Sequence, residues 1–492
     1  MTDLSFDAAV DLVNAIKSRK IRSTDLLEHY IERMERFNPQ INAIVAIDLD
    51  NARKQSRKAD EALDRGEDWG VLHGLPMTIK DSYEVKGMPC TAGSPDLKDY
   101  QPAENALVVE KLVNEGAIIF GKTNLPLFGG DLQSYNEVYG QTNNPWNLER
   151  VPGGSSGGAA AALAAGLTGL EMGSDIGGSI RNPSHFCGVF GHKPTFGIVP
   201  LMGHIPPLPG TFPGEYITNI DLLVAGPMAR SAKDLELVMD LITAPKCPMN
   251  TAWKINLPPA RGKDLQDFKI GVWLDDQSYP TDANVLDCLQ NAVDELANAG
   301  AHIEDKRPDI DFTRSHAVFT QLLQAATSAG LPNKVFDRML DEASNLSMAA
   351  RGDSALSVKG ITLLHRDWIR LNYARTMMRE TWANFFKAYD ILLCPAVSIT
   401  AFPHDHTDDF FARNLEVNGE ARSYFDTTIA WAGLTGMVYL PSTIAPVGPA
   451  RDGLPVGLQI VAPYLEDRTS LHFAGLVEEV IGGFKPPSEF AQ

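Results

Sequence analysis

The chain has 492 residues, of which 44% are hydrophobic, and a formal net charge of −19. That hydrophobic share supports a large packed core, while dispersed negative charge without a basic patch repels phosphate backbones and argues against nucleic acid as a partner. Five cysteines without a C-x-x-C pair point to free thiols in a reducing, cytoplasmic setting, not to a disulfide framework or zinc site.

Asp3, Asp7 and Asp11 stand where a secretory signal requires basic residues, and no apolar run reaches the roughly 20 residues that span a bilayer. Ser5 is expected to cap a helix to about Ser18, and Thr24 a second to about Met34 or Arg36, ended by Asn38-Pro39. These belong to an N-terminal helical segment over about 1–70. A strand is expected at Ile41–Ile47, a charged helix from about Asp50 to Arg65, and an apolar strand at Gly74–Lys80. A helix over Glu104–Glu115 then feeds a strand at Ala117–Gly121. Gly116 to Thr123 has the letter spacing of a phosphate-binding loop, but Ala117–Phe120 is the strand itself and cannot cradle a phosphate.

Further strands are expected at Ile220–Gly226, Lys269–Leu274, Ala301–Lys306, Ile391–Val397 and Val456–Val461. Helices are expected at Ser231–Ile242, Asn284–Ala299, most of 311–379, and Thr469–Ile481. This alternation predicts an α/β protein, a sheet flanked by helices. No linker or charge block divides the chain, so residues 1–492 read as one domain.

Residues 152–194 concentrate the chemistry. Ser155 and Ser179 each sit among glycines, joined by an alanine-rich helical run. Glycines at this density imply positive φ or close backbone approach. Consecutive N–H groups of Ile176, Gly177, Gly178 and Ser179 can form an oxyanion hole, with Ser179 placed to attack. A serine needs a base. His185 and His192 are near in sequence, but Lys80 ends an apolar strand, and a desolvated lysine becomes a base. Gly153–Gly157 also fits a G-x-S-x-G elbow with Ser155 as nucleophile, but Leu148–Pro152 is polar where an apolar strand is required. His404 and His406, near Asp405, Asp408 and Asp409, lack a third ligand at a fixed offset, so no metal site is read there.

GGSSGG at 153–158, GSDIGGSIRNP at 173–183 and FCGVFGHKPT at 186–195 resemble the signature of the amidase signature family of serine hydrolases. IKDSYEV at 79–85, GKTNLP at 121–126, GQTNNPWN at 140–147 and DGLPVGLQIVAP at 452–463 are similar to its other blocks. The resemblance implies a large twisted mixed β-sheet core flanked by helices on both faces. It implies a triad of Ser179 as nucleophile, Ser155 as a bridging serine after a cis peptide bond, and Lys80 as base. Ser156, Asp175 and Arg181 would support that triad, and no metal or organic cofactor is required.

The loops at about 128–139, 200–220 and 400–425 are expected to shape the pocket, with Gly129 and Gly130 leaving room and Asp131, Gln133 and Tyr135 supplying polar contacts. The resulting expectation is an amidase that cleaves the acyl C–N bond of a carboxamide through an acyl-enzyme, with esters and carbamates presenting the same carbonyl. It would act on a small molecule as a monomer or homodimer, without nucleic acid or membrane. The competing readings are the glutamine-hydrolysing subunit of a tRNA-dependent amidotransferase and a non-catalytic binding protein on the same fold.

Overall fold

A computed structural model describes residues 4–211, 219–347 and 349–491. Strands β1 (Ile44–Ile47), β2 (Pro76–Lys80) and β3 (Ile118–Thr123) make a three-stranded sheet in the order β1-β3-β2, and β4 (Tyr135–Asn136) and β5 (Gly140–Gln141) a small hairpin. The main sheet draws on β6 (Glu171–Asp175), β7 (Phe190–Lys193), β8 (Val224–Ala229), β9 (Lys269–Val272), β10 (His302–Glu304) and β11 (Ile391–Pro395). After a hairpin of β12 (Asn414–Val417) and β13 (Glu420–Ser423), β14 (Ser442–Pro449) and β15 (Pro455–Val461) complete it. Its order is β10-β9-β11-β15-β14-β7-β8-β6. Only β9 pairs in parallel, with β10 and β11, so the sheet is mixed as expected.

Every residue of β11 and β15 is buried, which fits their near-continuous apolar sequence. Alternation divides β11 between two cores. Ile391 and Leu393 face one cluster with Leu235, Leu289 and Phe473, while Leu392 and Cys394 face another with Phe319, Trp382 and Trp431. Helices Ala232–Ile242, Ala283–Asn298 and Asp467–Ile481 supply the first layer, and Phe312–Thr327, His365–Phe385 and Tyr424–Gly436 the second. Among the described residues no helix is long and apolar enough to cross a membrane.

The N-terminus departs from expectation. Ser5 lies in a 3-10 turn, Leu4–Phe6, and contacts His29 at 2.8 Å, so it caps no helix; the first α-helix is Ala9–Lys17. The second, Ser23–Ile41, runs through Pro39. Pro39 falls in the last turn, and the helix stops instead at Asn42, in the left-handed conformation (φ 54°). The side-chain oxygen of Asn38 takes the N–H groups of Ala43 and Ile44. The expected strand at Ile220–Gly226 is found at Val224–Ala229. β6, β7 and β14 have no counterpart among the strands expected from the sequence. In β14 Pro446 breaks the apolar pattern of a central strand, and an irregularity between Pro446 and Gly448 accommodates it. Within the 200–220 loop, residues 212–218 lie outside the described residues.

Leu458 is fully buried on β15 between β11 and β14. Leu458→Ala is expected to cost about 2–5 kcal/mol, read as a lowered denaturant midpoint at an unchanged m-value.

Candidate active site

Lys80 closes β2, which runs beside β6 at the edge of the main sheet. Tyr83 Oη donates to Gly173 O at 2.6 Å, and the Thr78 hydroxyl donates to Glu171. These contacts carry the Lys80 amine to three hydroxyls: its Nζ is 2.7 Å from Ser155 Oγ and 3.0 Å from both Ser156 Oγ and Ser174 Oγ. The side chain is 1% exposed, and no carboxylate pairs with it among the described residues. Burial therefore lowers its pKa to about 7, against the opposing pull of Asp175 and Glu171. A neutral amine has two N–H donors and one lone pair, so one of the three hydroxyls must donate to the nitrogen.

Ser155 and Ser156 immediately precede helix Gly157–Ala164, and the Gly154–Ser155 peptide is cis, as the resemblance implied. Ser179 Oγ has no hydrogen-bond partner among the described residues, while its carbonyl accepts from Ser156 N at 3.1 Å. Of the four expected oxyanion donors, Gly178 is already engaged, because its N–H donates to Asp175 Oδ1 at 2.9 Å. The N–H groups of Ile176, Gly177 and Ser179 have no acceptor among the described residues. Gly178 acts differently: at φ 119° it turns the loop that presents the other three.

Asp175 and Arg181 hold this loop from behind. Arg181 Nε and Nη2 donate to the two Asp175 oxygens at 3.0 and 2.9 Å, and Asp175 also takes the Ile180 N–H at 3.0 Å. Burial disfavours the carboxylate, but Arg181 and these hydrogen bonds bring its pKa down to about 2. Arg181 Nη1 continues to Ala432 O, Thr435 Oγ1 and Gln459 Oε1, tying the loop to helix Tyr424–Gly436 and β15. In front, a side chain added at Gly177 would meet Leu323 and Phe319, so the loop bearing Ser179 faces an apolar wall.

The remaining candidates have other engagements. Gly129 approaches Ser155 so closely that an added Cβ would lie 3.3 Å from its Oγ, and Gly130 follows in the same turn. Asp131 and Gln133 are not free for substrate. Arg413 and Tyr424 take the first, and the backbone of Asp405 takes the second. Tyr135 stacks on His406 at 3.8 Å and lies 3.3 Å from Asp131. His185 is fully buried, its Nδ1 accepting from Gly457 N–H at 3.1 Å and its Nε2 lying 3.1 Å from the Ile399 carbonyl, and burial holds its pKa at about 4, while His192 bonds Thr443 and Asp467. Both are buried core residues, and neither is hydrogen-bonded to Ser155 or Ser179 among the described residues.

Lys122 pairs with Asp81 at 3.2 Å and donates to Tyr83 O, which accounts for the charge next to Lys80 in the chain. His404 and His406 form no three-ligand group among the described residues; one such group is instead His316, Asp353 and Asp426. Ser174 is a residue at this site that the sequence did not signal, because it meets Lys80 only once β6 lies beside β2.

The amidase family model matches residues 25–471. The A subunit of the glutamyl-tRNA(Gln) amidotransferase of Bdellovibrio bacteriovorus is 31% identical, covering 97% of each chain. That of Koribacter versatilis is 32% identical over 95% of this chain and 97% of its own. Among solved structures, a bacterial aryl acylamidase of the amidase signature family superposes with a TM-score of 0.79 at 26% identity, covering 99% of this chain and 97% of that one. The chain belongs to the amidase family, enzymes that act on carbon–nitrogen bonds other than peptide bonds.

Arg181→Met would strand Asp175 as a buried, unpaired charge. It is expected to destabilise the fold by about 3–5 kcal/mol, measured by chemical denaturation, and a loss below about 1 kcal/mol would contradict the pairing described.

Proposed function

We propose that this chain hydrolyses an acyl C–N bond through an acyl-enzyme on Ser179, with Ser155 as relay and Lys80 as base. The observation that carries the reading is the amine of Lys80, stripped of water and of ion-pair partners, 2.7 Å from Ser155 Oγ. Ser179 Oγ attacks the carbonyl carbon as its proton passes to Ser155, whose own proton passes to the lone pair of Lys80. Among the described residues Ser155 and Ser179 share no hydrogen bond, and catalytic contacts of this kind commonly tighten around substrate.

The developing oxyanion meets the N–H groups of Ile176, Gly177 and Ser179. Each such donor contributes about 10²- to 10³-fold in rate. On collapse the C–N bond breaks and the relay returns the proton to the leaving nitrogen. Water then repeats the sequence to release the carboxylic acid and regenerate Ser179.

Two substrate readings follow. The full-length relatives at 31% and 32% identity are named as amidotransferase A subunits, which supports the side-chain amide of glutamine as the substrate. Glutamine hydrolysis within a tRNA-dependent amidotransferase is thereby better supported than a general small-molecule amidase. The same names support a subunit of a larger, tRNA-linked assembly over a free monomer or homodimer. The apolar wall of Phe319 and Leu323 and the likeness to an aryl acylamidase support an aryl or alkyl amide instead. Under either reading the chain works as one domain, and its buried free cysteines, Cys90, Cys187, Cys288 and Cys394, support a cytoplasmic setting.

Ammonia release from glutamine, measured beside release of p-nitroaniline from acyl p-nitroanilides with the purified chain, separates the two. Ser179→Ala is expected to abolish turnover and the acyl adduct seen by intact mass; an active variant removes Ser179 from the mechanism. Lys80 must be neutral to accept a proton, so kcat/KM should fall tenfold per pH unit below about 7 and level off above it.

A further inference from the structure

The loop that abuts the bridging serine is held by a buried ion pair, Asp131 with Arg413. Gly154 precedes Ser155, and a Cβ there would lie 2.6 Å from Gln133 N and Leu132 C and 2.7 Å from Asp131 O. The backbone of residues 131–133 therefore presses directly on the peptide that presents Ser155. Ser134 adds to the grip, donating to Gly153 O at 3.0 Å and accepting from Gly157 N at 3.1 Å.

What holds this loop is the Asp131 carboxylate, 7% exposed. It accepts from Arg413 Nη1 at 2.6 Å, Tyr424 Oη at 2.6 Å, Tyr135 Oη at 3.3 Å and its neighbour's N–H, Leu132, at 2.7 Å. Arg413 is itself 4% exposed and braced on the Thr407 carbonyl at 2.8 Å and Tyr135 Oη at 3.1 Å. Tyr424 opens helix Tyr424–Gly436, whose later turns take Asn182 Nδ2 at Thr428 O (2.6 Å) and Arg181 Nη1 at Ala432 O (2.6 Å). One carboxylate thus anchors both the wall behind Ser155 and the helix behind the oxyanion loop.

We propose that Asp131, clamped by Arg413 and Tyr424, is a positioning residue that sets the register between Ser155 and the loop bearing Ser179. A buried ion pair is costly to assemble and adds little stability over an apolar replacement, so its use here is geometric. Misplacement of reacting groups by about 1 Å can cost 10²-fold in rate. Movement of the wall would also admit water to Lys80, returning its pKa toward that of an exposed amine. The ionisable groups facing Lys80, namely Asp175 and Glu171 on β6 and His204 in the loop before residue 211, are not partners of Asp131.

The proposal rests on the acyl-enzyme reading and is tested on the full chain with whichever amide it turns over. Asp131→Asn and Arg413→Met are expected to lower kcat about 10- to 100-fold with KM within about twofold. They should also displace the acid limb of the pH profile upward, and Arg413→Lys should recover part of the loss. Tyr424→Phe, which removes a single hydroxyl, is the variant that keeps the test open if the others fail to fold, and a smaller change of the same kind is expected. Unchanged kcat and acid limb in folded variants would overturn the proposal, as would a rise in KM alone, which would put Asp131 against substrate. Loss of turnover in Ser179→Ala together with unchanged Asp131 variants would leave the acyl-enzyme reading standing and this one refuted.

Discussion

The site depends on keeping one amine out of water without giving it a counter-charge. Strands β2 and β3 bring two lysines into the interior, and their surroundings send them in opposite directions. Burial disfavours the charge on Lys122, but the Cys90 thiol and the Asp81 carboxylate more than offset it, and its pKa is raised. Lys80, buried beside it in the sheet, has among the described residues only the hydroxyls of Ser155, Ser156 and Ser174 as hydrogen-bond partners. Hydroxyls solvate an ammonium far less well than a carboxylate, and the amine becomes basic near neutrality. Asp81, adjacent to Lys80 in the chain, is spent on its neighbour's partner strand, and this division of charge makes a base possible.

The same logic orders the second half of the site. The loop 176–180 carries three free N–H groups, and an array of aligned donors of this kind is held open only if something behind it fixes its shape. Asp175 collects the N–H groups of Gly178 and Ile180, and Arg181 neutralises it while reaching β15 and helix Tyr424–Gly436. The negative charge lies behind the loop and is paired with Arg181, which lessens its repulsion of the oxyanion in the proposed mechanism. The proposed base, relay and anion site each rest on a different sheet edge or helix end, so their relative geometry is a property of how the two sheets and the apolar layers pack.

Much of this was legible in the sequence because the chemistry requires local patterns. Glycines bracket Ser155 and Ser179 where backbone must approach backbone, and the apolar run before Lys80 announces its burial. The supporting pair Asp175 and Arg181 lies within the same stretch. Ser174 was not legible, since its role arises only when β6 is laid beside β2. Gly178 was assigned to the oxyanion donors because consecutive residues invite that reading; the carboxylate that captures its N–H depends on a side-chain direction that spacing does not reveal. Asp131 and Gln133 read as pocket residues because they follow two glycines, whereas their partners, Arg413 and Asp405, lie more than 250 residues away. Prolines obscured β14, and Pro39 gave a false end to a helix that Asn42 terminates.

The most direct test is the titration of the lysine amine itself. In protein carrying ¹³C-labelled lysine, with the Lys80 signal assigned by its loss in Lys80→Met, the Cε resonance is followed from about pH 5 to 11. A midpoint near 7 is the predicted result. A midpoint near the ordinary value of about 10.4 would contradict the account, because a lysine charged at neutral pH has no lone pair to take a proton from Ser155.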